Sequence, residues 1–97
     1  LDQNRPNPFS HSTAITYHLS ADGRPRTAVS LAVYDLSGRM IETLVDESLP
    51  TSYFLLPTSV VWGGKDEKGR EVASGIYFYR LTAGSLVETK SMTLIRR

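Results

Sequence analysis

Val72-Ala73-Ser74-Gly75-Ile76-Tyr77-Phe78-Tyr79-Arg80-Leu81 is the stretch that decides the fold. Small residues suited to a turn lead into a β-rich run with strict two-residue alternation. One face carries Ile76, Phe78 and Arg80, the other Tyr77, Tyr79 and Leu81. A charge in the first set disfavours its burial, so Tyr77, Tyr79 and Leu81 are expected to point inward. Gly75 is expected to set the turn. Tyr77, just after it, has the layout of a tyrosine corner, in which a hydroxyl returns to backbone a few residues upstream. Ile76 and Phe78 are left outward. Either the N-terminal Pro8–Phe9 segment or a neighbouring strand covers them, or they form an open docking patch.

The rest of the chain repeats this alternation. In 14–20, Ile15, Tyr17 and Leu19 share a face; in 28–35, Val29, Leu31 and Val33 do. A less regular run over 39–45 sets Ile41, Thr43 and Val45 against Met40, Glu42 and Leu44, and 42–49 could alternatively close an uncapped helical turn. Short β-rich runs occupy 53–56 and 60–62, and a long one occupies 86–95. Asp35-Leu36-Ser37-Gly38 and Asp66-Glu67-Lys68-Gly69 place Asp first and Gly fourth, the type I turn preference. Ala83-Gly84-Ser85 joins the two longest strands. About seven short antiparallel strands with regular turns indicate an all-β, immunoglobulin/fibronectin III-like sandwich. Trp62 and the Tyr77–Tyr79 face are its expected core, with Gly38 and Gly69 as structural turn glycines.

Ninety-seven residues make one domain. It divides into a Pro-rich arm (1–13), with Phe9 as the expected anchor, and the sandwich (14–97). The chain opens on Leu1 without a signal peptide, as expected of a piece of a longer protein. The formal charge is +1, which argues against a nucleic-acid binder held by a basic face. That average hides a basic end: from Tyr77 onward the net charge is +3, enough to steer an acidic partner or to block strand pairing at an edge. There is no cysteine, which excludes disulfides and thiolate chemistry. No apolar run approaches the roughly 20 residues that span a bilayer.

No catalytic constellation stands out. His11 and His18 lie in a loop and on a polar strand face, without a nucleophile and orienting acid. Ser74 lacks the G-x-S-x-G elbow. Asp66 and Glu67 lack the alternating oxygen ligands of a calcium loop, and Glu42, Asp46 and Glu47 read as a solvated acidic face. Tyr34 with Tyr53 could offer sugar-stacking rings, although scattered half-buried tyrosines are the commoner arrangement. No metal and no cofactor is expected, and the domain reads as non-catalytic.

Several segments then carry a family likeness. Leu1-Asp2-Gln3-Asn4-Arg5-Pro6-Asn7-Pro8-Phe9 with Ser12-Thr13 resembles L-x-Q-N-Y-P-N-P-F-N-P-S-T. Tyr34-Asp35-Leu36-Ser37-Gly38-Arg39 resembles Y-D-x-x-G-R, and the segment from Trp62 to Gly69 resembles W-D-G-x-D-x-x-G. Residues 72–81 match V-A-S-G-I-Y-F-Y-R-L throughout, and Thr89-Lys90-Ser91-Met92 resembles T-R/K-K-M. In order, these resemble the C-terminal sorting domains (type A) of the type IX secretion system, which grade into the immunoglobulin-like domain of flagellar hook-capping proteins. Arg5, Ser10, His11, Gly63 and the 51–59 stretch depart from the pattern. The resemblance implies an address label on an exported cargo of a Gram-negative bacterium. Such a label passes from the periplasm through the outer membrane to secretion or cell-surface attachment. Its implied partners are the upstream cargo domain, the outer-membrane secretion machinery and a surface sortase. Under this reading Gly75, Phe78, Arg80, Lys90, Met92, Arg96 and Arg97 are the expected recognition residues. The alternatives are an immunoglobulin-like accessory or carbohydrate-contacting module of a secreted enzyme, and a hook-capping-type assembly domain.

Overall fold

Alternating apolar residues bury one face of each strand and leave the other wet, so strands that share a core must stack as two layers. A computed structural model describes residues 1–19, 25–50 and 57–96. Its strands are β1 (Thr13–Tyr17), β2 (Arg26–Tyr34), β3 (Met40–Pro50), β4 (Thr58–Trp62), β5 (Gly75–Ala83) and β6 (Leu86–Leu94). One sheet has the order β3-β2-β5-β6 and the other pairs β1 with β4, all antiparallel. The fold is an all-β, immunoglobulin-like sandwich, with no helix among the described residues. Six strands are described, and the run expected over 53–56 lies outside the described residues.

The core is the one the alternation indicates. Ile15, Tyr17, Leu19, Val29, Leu31, Val33, Trp62, Tyr77, Tyr79 and Leu81 are all buried. Trp62 ties the layers together: its ring meets Phe9 at 5.7 Å and Tyr77 at 5.4 Å, both edge-on, and its Nε1 donates to the Lys65 carbonyl at 2.9 Å. Edge-to-face contacts of this kind add to the area such rings bury.

β3 departs from expectation. It is a strand throughout 42–49, not a helical turn, and it continues to Pro50. Its pairing with β2 shifts register between Leu31 and Ala32 and again between Val33 and Tyr34. Each bulge inserts a residue and resets the two-residue period. Ile41 and Val45 are therefore buried while Thr43, expected beside them, is exposed.

Both Asp turns form as read. The Asp35 carboxylate accepts the Ser37 hydroxyl at 2.6 Å and the N–H groups of Ser37 and Arg39 at 2.9 and 3.0 Å. Asp66 accepts the N–H groups of Lys68 and Arg70 at 3.0 and 2.9 Å. Gly38 and Gly69 close these turns at φ +87° and +79°, where a side chain would be strained. The Ser37 hydroxyl above all for Asp35, and the Arg70 N–H above all for Asp66, hold both carboxyls below their ordinary range. A carboxyl lowered on folding adds stability above its unfolded pKa, about 3.9, and loses it as pH falls through the lowered folded value. Melting temperature should therefore fall as pH drops below about 4, and the Asp35→Asn, Asp66→Asn double variant should show a shallower acid limb. Superimposable limbs would contradict this origin.

The proline-rich arm bridges the two sheets, from β1 to the end of β6. Asp2 and Arg5 pair with Thr16 and Ala14 of β1 through backbone bonds of 2.7–2.9 Å. The chain then crosses to β6. The Phe9 N–H donates to the Thr93 carbonyl at 3.0 Å, the Ile95 N–H donates to Phe9 at 2.8 Å, and the Thr93 N–H donates to the Asn7 side chain at 3.0 Å. Phe9 is buried, the anchor its position suggested.

Candidate functional site

The 72–81 segment is both a fastening and a surface. The Tyr77 hydroxyl donates to the Ala73 carbonyl at 2.6 Å, completing the expected tyrosine corner. The Tyr79 hydroxyl donates to the Asp2 carbonyl at 2.8 Å and accepts the Asn4 N–H at 2.9 Å, so β5 holds the arm directly. Burial pushes both phenols above the ordinary tyrosine range, which keeps them protonated donors. Asn4, buried, donates to the Pro6 carbonyl and to Thr13 Oγ1, at 3.2 and 3.0 Å. Asn4 and Thr13 were not singled out from the sequence. Their only signal was membership of the L-x-Q-N and S-T pieces of the opening motif.

The outward side of β5 carries the other half of the segment. Ile76 is 45% exposed, Phe78 is half-buried and Arg80 is exposed. The arm does not cover them, because Phe9 lies in the core on Trp62. Tyr34, across from Phe78 on β2, lies under the Arg80 guanidinium at 4.9 Å. Tyr34 thus has one ring face occupied, and Tyr53, its partner in the sugar-platform reading, lies outside the described residues.

The C-terminal recognition residues read from the sequence are placed quite differently from one another. Met92 is 1% exposed and pairs across from Tyr77, so it is core and cannot be read by a partner. The reason is phase: in β6 Lys90, Met92 and Leu94 fall on the face of Tyr77 and Tyr79. Lys90 shares that inner face and is half-buried at the sheet edge. Arg96 is a clamp. Its Nε donates to the Val72 carbonyl at 2.7 Å, its Nη2 to the Gly64 carbonyl at 2.6 Å and its N–H to Ser74 Oγ at 2.8 Å. Gly64 takes φ +69°, where a side chain would be strained, and a Cβ there would also stand 2.8 Å from that guanidinium. Gly75 does not set the turn: it begins β5 without a positive φ, and a Cβ there would meet nothing within 4 Å. Arg97 lies outside the described residues. Of the expected set, the structure brings Phe78 and Arg80 together on one open face.

His11 and His18 are exposed. Among the described residues no three His, Asp or Glu side chains gather as a metal-ligand set. No helix of the described residues is long and apolar enough to cross a membrane.

No family model matches the chain, and no curated protein matches it. A solved structure does: dimeric latent PorU from Porphyromonas gingivalis, with a TM-score of 0.76 at 22% sequence identity, over 98% of this chain and 9% of that one. The chain has the fold of one PorU segment. The likeness to PorU runs across arm, sandwich and tail together, so the arm belongs to the folded unit.

Proposed function

We propose that this domain is a non-catalytic C-terminal sorting module, which directs an exported bacterial protein across the outer membrane by the type IX route. The observation that carries the reading is the whole-chain likeness to a segment of PorU, a type IX secretion system protein, joined to the ordered sorting-domain motifs of the sequence. The motif residues themselves support a signal read as a fold. Tyr77, Tyr79, Asn4 and Phe9 are fastenings, and the chain's own arm occupies the end of β6. A partner therefore meets a folded sandwich with the end of its last strand already paired. The upstream cargo, the outer-membrane machinery and a surface sortase are the partners this function requires.

The test is a reporter with a signal peptide fused ahead of the chain, expressed in a type IX-competent bacterium. Reporter accessible to protease on intact cells is expected for the complete chain. Deleting 86–97 should leave the reporter folded in the periplasm. Normal surface display of that deletion would contradict the reading.

A further inference from the structure

We infer that the outer face of the four-stranded sheet, centred on Phe78 and Arg80, is the docking surface, and that its occupant is a protein surface presenting a carboxylate within an apolar ridge. This rests on the sorting function proposed above and names its contact. Cross-strand pairing sets Met40, Tyr34, Phe78 and Ser91 in one row, and Thr43, Ala32, Arg80 and Thr89 in the next. Ile76 and Leu36 flank the first row, 45% and 67% exposed, and Met40 is 42% exposed. A shallow groove of about 290 Å³ runs between Tyr34, Asp35, Leu36, Phe78, Arg80 and Thr89. The Asp35 carboxylate there is engaged by its own turn and by Arg39.

Charge selects the occupant. In the two rows Arg80 is the one charged side chain among the described residues, and the nearby Asp35 and Arg39 are paired with each other. Asp46 stands two strands away, opposite Ser30, and Arg26 is bonded to Ser48. Among the described residues no carboxylate lies within ion-pair distance of Arg80. Its guanidinium carbon rests over the Tyr34 ring, 4.9 Å from the centroid, which limits the freedom it loses on binding. An aromatic and aliphatic patch with one positioned arginine matches the composition of an interface core. A sugar ring would need the Tyr34 face that Arg80 already covers.

The experiment uses the reporter fusion with Arg80→Glu, Arg80→Lys and, as a control on the other sheet, Val61→Glu, which is 64% exposed in the parent. Melting curves establish that each domain folds. Arg80→Glu is expected to lower surface display about ten-fold or more, as for inverting a central interface charge, with Arg80→Lys, which keeps the charge but loses the planar group over Tyr34, falling between it and the parent, and Val61→Glu unchanged. A photo-crosslinker at Leu36 should join the domain during export to an outer-membrane protein. Normal display of Arg80→Glu, or crosslinks only to lipopolysaccharide or to a second copy, would overturn the docking face. A wild-type fusion retained in the periplasm would overturn the sorting function and this inference with it.

Discussion

Replacing Trp62 with alanine is expected to lower the unfolding free energy by about 3–5 kcal/mol, the range for deleting a buried large aromatic. Trp62 is 2% exposed and is the contact shared by the arm, β4 and β5, through Phe9 and Tyr77. Its loss opens a cavity between the sheets and leaves the Lys65 carbonyl without its donor. Against a total of about 5–15 kcal/mol for a domain of this size, that is a large fraction. The melting temperature should fall by roughly 12 °C or more, at about 4–8 °C per kcal/mol. Val61→Ala, the adjacent and exposed residue, should stay within about 0.5 kcal/mol of the parent. Equal melting curves for the two variants would contradict the role given to Trp62.

Removing residues 1–10 is the second large effect. The truncation strips Phe9 from Trp62, which by itself is worth about 3–5 kcal/mol. It also leaves the Tyr79 hydroxyl without Asp2 and Asn4, about 1–3 kcal/mol for a buried polar group left unpaired. Finally it bares the β6 edge at Thr93 and Ile95, an invitation to aggregation. The truncated chain is expected to lose its cooperative unfolding transition, or to unfold at a far lower urea concentration. Phe9→Ala should fall between it and the parent. A truncated chain that melts within a few degrees of the full one would show the arm to be dispensable.

The parts legible in the sequence are those where one local rule governs. In 76–81 a single charge, Arg80, tells the two faces apart, and Tyr77, Tyr79 and Leu81 are buried as that rule requires. Each Asp turn carries its own acceptor and its own glycine, so no distant partner is needed to form it. β3 was harder, because two bulges break the period on which the reading depends. The arm has no period at all. Its prolines hide the crossing from β1 to β6, which only the pairing partners reveal.

The candidate site was legible in part for the same reason. Phe78 and Arg80 follow directly from the alternation of β5. Met92, expected among the recognition residues, shares its phase with Leu94 and lies in the core. Arg96, whose charge in a basic end suggests a free recognition residue, binds carbonyls of Gly64 and Val72, more than twenty residues away in sequence. An arginine in a short basic run carries no local mark of such partners. Charge counting along a chain therefore overstates how much of a basic end is free to be read.

The most direct test of a folded signal compares two reporters in a type IX-competent cell. One carries the complete chain; the other carries only 72–97, which keeps the matching motif and the basic end but loses the arm, Trp62 and β1–β4, and with them the second sheet and the β2 partner of β5. Surface display of the first and periplasmic retention of the second is the expected result. Equal display of both would show that a linear segment suffices and would contradict recognition of the folded sandwich.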